Sequence, residues 1–117
     1  LLDKPRNNKG KDSQKGSLLG PSYSDAEIVE TLNRMGAVYT SCKDEEELCD
    51  KVAQLIAQEK VIGWVQGRME FGPRALGGRS IIGDPRSQAM QSVMNLKIKF
   101  RESFRPFAPI VMQEYVD

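Results

Sequence analysis

Val61-Ile62-Gly63-Trp64-Val65 runs through Gln66 into Gly67-Arg68-Met69-Glu70-Phe71-Gly72-Pro73-Arg74-Ala75-Leu76-Gly77-Gly78-Arg79-Ser80. The first five residues have the composition of a buried strand. The next fourteen hold three arginines and four glycines. Glycine lets backbone approach a ligand closely or adopt positive φ. Arginine presents a planar fork of donors that matches phosphate or carboxylate oxygens in pairs. In open α/β sheets, ligands gather at loops beyond the carboxyl ends of strands. The pattern therefore predicts a strand that delivers a preorganised anion pocket. The competing reading is a solvated loop with ordinary salt bridges.

Working outward, Glu45, Glu46 and Glu47 follow Asp44 at the head of a helix whose apolar stripe is Leu48, Val52, Leu55 and Ile56. Acidic residues suit the positive end of a helix dipole. Three adjacent carboxylates point in different directions around a helix, which argues against a metal site. Further upstream, Ser24 and Glu27 have capping-box spacing, and Ile28, Val29, Leu32 and Met35 share a helical face that ends at Gly36. Ala37-Val38-Tyr39-Thr40 reads as a short strand. Residues 1–22, rich in Lys, Asn, Gly and Ser, have no apolar period and read as an interdomain linker or disordered arm. The two leading leucines suggest the cut end of a longer chain.

Downstream, Ser80-Ile81-Ile82-Gly83 reads as a strand. Asp84-Pro85 has the pattern of a helix cap followed by a first-turn proline. Ala89, Met90, Val93 and Met94 continue that helix to about Lys97. A basic segment, Lys97 to Arg105, then feeds a proline-rich turn and an apolar strand from Ala108 to Met112. Phe104 and Phe107 are expected inside, with Lys97, Arg101 and Arg105 facing a ligand.

The totals narrow the chemistry. The chain has 117 residues, 39% of them apolar, and a formal net charge of +1. That is one modest domain or part of a larger one, and its bulk charge gives no argument for nucleic acid or anionic lipid. No apolar run approaches a membrane span. Cys42 and Cys49 lack C-x-x-C spacing and read as reduced thiols of a cytoplasmic protein. The chain has no histidine, so the usual neutral-pH general base is missing. Chemistry must come from arginine, lysine, carboxylates or backbone donors.

Two blocks now coincide: residues 66–77 with Arg79-Ser80-Ile81, and Asn95-Leu96-Lys97 with Arg105-Pro106-Phe107-Ala108-Pro109. Together with Leu19-Gly20-Pro21-Ser22-Tyr23, they resemble the C-terminal domain of the O-carbamoyltransferases, which include nodulation and antibiotic-tailoring enzymes. The resemblance implies an α/β (α+β) fold similar to the YrdC domain, a twisted mixed sheet flanked by helices, over residues 23–117. It implies a domain that takes carbamoyl phosphate and ATP, with magnesium, and forms carbamoyl adenylate. The carbamoyl group then passes to a substrate hydroxyl in an N-terminal domain of the actin-like ATPase superfamily, which also bears the family's histidine metal ligands.

On that resemblance, Arg68, Arg74 and Arg79 are assigned to carbamoyl phosphate, and Lys97, Arg101 and Arg105 to the nucleotide. Arg79 and Arg105 serve either ligand or structure, and Glu70 is expected to orient an arginine. Two polyanions in one pocket repel each other, and fixed guanidinium groups offset that repulsion. The family usually has asparagine where this sequence has Gly78. It also continues to a Thr-Ser-Phe-Asn segment of the nucleotide site, which is not reached by Asp117. The chain is therefore expected to be a truncated domain, incomplete at its C-terminus and inactive alone. The alternative is a YrdC-like module that binds RNA or a nucleotide without catalysis; the sequence has no RNP-type motif. A third possibility is a domain that chiefly docks against its partner.

Overall fold

The computed structural model describes residues 15–116. Most of the expected linker lies outside the described residues. The rest of the chain is α+β: α1 (Asp25–Arg34), α2 (Glu45–Ala57), β1 (Ile62–Val65), β2 (Arg79–Ile82) and α3 (Met90–Val93). A π-helical turn, Met94–Ile98, continues α3. Among the described residues the sheet has two strands, β1 and β2, paired antiparallel.

Both long helices start as their sequences direct. Ser24 caps α1 with a full capping box: its Oγ accepts from the Glu27 N–H, and Glu27 Oε2 accepts from the Ser24 N–H at 2.8 Å. Gly36 follows at φ +64°, the left-handed stop that glycine permits. Asp44 caps α2 through the Glu47 N–H at 2.9 Å. Glu47 in turn accepts from the Lys43 N–H and pairs with Lys51 at 2.8 Å. The glutamates are thus used at the helix head. Cys42, half-buried, and Cys49, exposed, are free thiols.

Three local expectations differ from the structure. Residues 37–40 are irregular, with Val38 fully exposed, and residues 107–112 are irregular too. β-branched runs become strands only where a neighbouring edge supplies the ladder, and neither run joins the sheet. Asp84 does not cap a helix, which begins only at Met90. Its carboxylate instead accepts from the Arg86 N–H at 2.9 Å and is gripped by the Arg86 guanidinium at 2.7–3.1 Å. That fork holds the buried Asp84 carboxyl down at about 2, first through the side-chain bond and then through the Arg86 N–H.

The described residues divide into two compact units, one from residues 15–38 and 65–80, the other from residues 39–64 and 81–116. In the first, residues 17–21 are tied to the arginine loop. Gly20 N–H donates to the Met69 carbonyl at 2.8 Å, Met69 N–H to Pro21 at 2.9 Å, and Phe71 N–H to Ser17 at 2.6 Å. The last part of the expected arm is therefore built into this unit. Only glycine allows the approach at position 20, where a Cβ would stand 2.8 Å from the Cβ and carbonyl oxygen of Met69. In the second unit, Met90 and Met94 are the buried apolar residues, and both pack over Gly83.

Candidate functional site

β1 delivers the chain into residues 66–78, and β2 takes it away. The loop closes where Gln66 N–H donates to the Gly78 carbonyl at 2.9 Å. Its interior is organised by Glu70, which is 5% exposed. One carboxylate oxygen, Oε1, accepts from Leu76 N–H at 3.0 Å, from Arg79 N–H at 3.1 Å, and from Gly78 N–H. Glu70's own N–H, then those of Leu76, Gly78 and Arg79, hold its carboxyl below the usual carboxylate range, against the opposing push of burial. The expected partnership with an arginine is replaced by capture of backbone. Oε1 is saturated by three N–H groups, and Glu70 makes no ion pair among the described residues.

Arg79 does the converse. Its guanidinium donates to the carbonyls of Gly78 at 2.7 Å, Gly67 at 3.0 Å and Gln66 at 3.2 Å. Gly78 is buried between these two collectors, and a Cβ there would lie 3.1 Å from the carbonyls of Gln66 and Arg68. The asparagine common in the resembled family would need a few tenths of an ångström of give at this point. Arg68 is exposed and donates through Nε to the Gly20 carbonyl at 3.0 Å.

Arg74 differs from both. Among the described residues it makes no hydrogen bond or ion pair, and it lines a shallow hollow of about 230 Å³ with Met69, Glu70, Gly72, Pro73 and Arg79. A wider depression, about 530 Å³, lies along the start of α2. Its charges are of both signs and already joined, as in Glu47–Lys51 and Lys43–Asp44, so it has little to offer a polyanion.

The second cationic set lies on the other unit. The π-turn is made by Lys99 N–H reaching back five residues to the Met94 carbonyl at 2.9 Å. It places Asn95 fully inside, at 0% exposure. Asn95 Nδ2 donates to the carbonyls of Arg105 at 2.8 Å and Ser103 at 3.0 Å, and Oδ1 accepts from Arg101 Nε at 2.7 Å. Gln91 adds bonds to the Phe104 and Arg105 carbonyls at 3.3 and 3.1 Å. Arg101 also lies over the Phe107 ring, 4.9 Å from its centroid. Arg105 pairs with Glu102 at 2.8 Å, while Lys97 is exposed and makes no hydrogen bond or ion pair among the described residues.

Of the two phenylalanines expected inside, Phe107 is half-buried and Phe104 is 76% exposed. Gln91 pins the Phe104 carbonyl, and the ring is left at the surface. Sequence reasoning missed Asn95 and Gln91 as organisers. The available signal was a lone amide directly after the apolar pair Val93-Met94.

The family model described as "Carbamoyltransferase C-terminus" matches residues 53–117. The chain is 61% identical over 107 residues to the uncharacterized protein sll1178 of Synechocystis, covering 90% of this chain and 17% of that protein. It is 55% identical over 74 residues to the nodulation protein NolNO of Sinorhizobium fredii, covering 60% of this chain and 11% of that protein. Against the nodulation protein NolO of Bradyrhizobium diazoefficiens it is 40% identical over 95 residues, 81% of this chain and 17% of that protein. The chain thus spans less than a fifth of the length of these relatives.

Proposed function

This chain belongs to the family of the carbamoyltransferase C-terminus, and from that premise we propose that it serves the activating step of an O-carbamoyltransferase. In this reading it binds carbamoyl phosphate and ATP and supports formation of carbamoyl adenylate. Phosphate and pyrophosphate leave, and the balance takes up one water. A substrate hydroxyl on an N-terminal domain of the parent enzyme then takes the carbamoyl group from the adenylate, giving up its proton as AMP leaves. Magnesium arrives on the phosphates of ATP; among the described residues no group of three His, Cys, Asp or Glu is placed to hold a metal.

The single observation that carries this reading is Arg74. It is an arginine with no protein partner among the described residues, held in a hollow whose rim is fixed by Glu70 and Arg79. A guanidinium kept apart from carboxylates retains its donors for an incoming oxyanion. Arg74 is assigned to carbamoyl phosphate with Arg68, and Arg79 shapes the rim from the same loop. Lys97 is assigned to nucleotide phosphates, beside Arg101 and Arg105.

The test is an NMR titration of the chain. Carbamoyl phosphate should shift amides within residues 66–80, ATP those within 97–105, and Arg74→Ala should abolish the first response. Shifts scattered over the whole chain would sink the assignment. Salt-sensitive oligonucleotide binding without a carbamoyl phosphate response would favour the nucleic-acid module instead.

A further inference from the structure

We propose that Glu70 is a positioning residue: by gathering the far side of the loop onto one carboxylate oxygen, it holds the arch of residues 71–75 in the shape that presents Arg74 to an oxyanion. The inference rests on the reading of Arg74 given above and deepens it.

Three backbone donors on one oxygen, from Leu76, Gly78 and Arg79, require a full negative charge to balance them. A neutral acid or an apolar side chain would leave these N–H groups short of a partner in a buried place. Between Glu70 and Leu76 the described backbone ties are few: Phe71 N–H reaches the Ser17 carbonyl, and Leu76 N–H reaches Glu70 itself. The arch between them contains Gly72 at φ +146°, a backbone state costly for other residues, and Pro73, whose ring fixes its own φ. Its two feet are therefore what set the direction of Arg74, and Glu70 is one foot and the anchor of the other. Arg79 cannot substitute, because it collects carbonyls at the base of the loop and leaves the Leu76 N–H untouched. Glu70 touches no ligand in this scheme; it acts through Arg74.

The experiment compares the native chain with Glu70→Ala and Glu70→Gln by 15N relaxation and carbamoyl phosphate titration. In Glu70→Ala, amide order across residues 72–76 should fall, and affinity for carbamoyl phosphate should weaken by at least about tenfold, the scale of one net hydrogen bond. Glu70→Gln keeps a carbonyl acceptor in place and should restore part of both. The Asn95 side-chain amide signals should stay unchanged in both variants, which separates loosening of the arch from unfolding. If Glu70→Ala does not fold, Glu70→Gln decides, and native affinity in that variant overturns the inference. A folded Glu70→Ala with native order and native affinity overturns it as well. If the native chain itself gives no carbamoyl phosphate response, the reading of Arg74 falls and the inference falls with it. A native response that survives Glu70→Ala removes the inference alone.

Discussion

Glu70 in the first unit and Asn95 in the second are each buried inside a cation-bearing loop, and each gathers backbone groups of that loop. Their polarities are opposite. Glu70 is an anion collecting N–H groups; Asn95 is a neutral amide whose donors collect carbonyls and whose oxygen takes one guanidinium N–H. The consequence differs for the nearby arginines. Around Glu70, Arg79 is engaged with carbonyls, while Arg74 has no hydrogen bond or ion pair among the described residues. Around Asn95, Arg101 is drawn into the network itself, and Lys97 and Lys99 are left without an ion pair among the described residues. A buried polar side chain thus decides which neighbouring cation is structural and which is available.

The largest effect is expected at Asn95. Asn95→Ala deletes two donors and an acceptor from a fully buried place, so unfolding stability should drop by about 2–4 kcal/mol. Thermal melts would read it, and the fluorescence or NMR signature of the Phe107–Arg101 stack should be lost with it. A melt unchanged from the native chain would mean the two loops are not built on comparable anchors.

A pair of glycines sharpens the contrast between units. Gly20→Ala drives a Cβ into the Met69 backbone, whose position is fixed by two hydrogen bonds, and should cost about 1–3 kcal/mol. Gly83→Ala meets the Met90 Cγ and Sδ and the Met94 Sδ, atoms of flexible side chains and not of backbone, and should cost less in the same melt. Equal costs would show that the first unit's loop pairing is as pliable as the second unit's methionine core.

The smallest effect is one of acid. The carboxyls of Glu70 and Asp84 are both held below their ordinary values in the folded chain. Each therefore contributes stability that is complete above its unfolded pKa, near about 4, and fades as pH falls through its folded one. For Asp84 that end point is about 2. On acidification, the amide signals of Leu76, Gly78 and Arg79 should move together, while the side-chain amide signals of Asn95, whose partners are carbonyls and a guanidinium, stay flat through the Glu70 transition. Joint movement of both sets would break the distinction drawn between charged and neutral anchors.

Much of this was legible beforehand, for reasons that can be named. The caps at Ser24 and Asp44, the stop at Gly36 and the strand at Ile62–Val65 are local events, set by a few adjacent residues. The density of arginine and glycine after that strand marked a loop that closes on its own base. Partner choice was not legible. Nothing in the order of residues shows that Glu70 selects backbone N–H groups over an arginine, or that Arg79 turns onto carbonyls while Arg74 does not. Those outcomes depend on where the loop returns to its own base. The runs at 37–40 and 108–112 failed as strands for a related reason: pairing needs a neighbouring edge that a short window of sequence cannot supply.

The central proposal is that Arg74, which has no hydrogen bond or ion pair among the described residues, is an anion-binding arginine of this chain. The direct measurement is the calorimetric affinity of the chain for carbamoyl phosphate, beside Arg74→Ala and Arg105→Ala. The account predicts that Arg74→Ala loses at least about tenfold, the scale of one charge-assisted contact, while Arg105→Ala stays close to the native value. Native affinity in Arg74→Ala, or an equal loss in both variants, would contradict it.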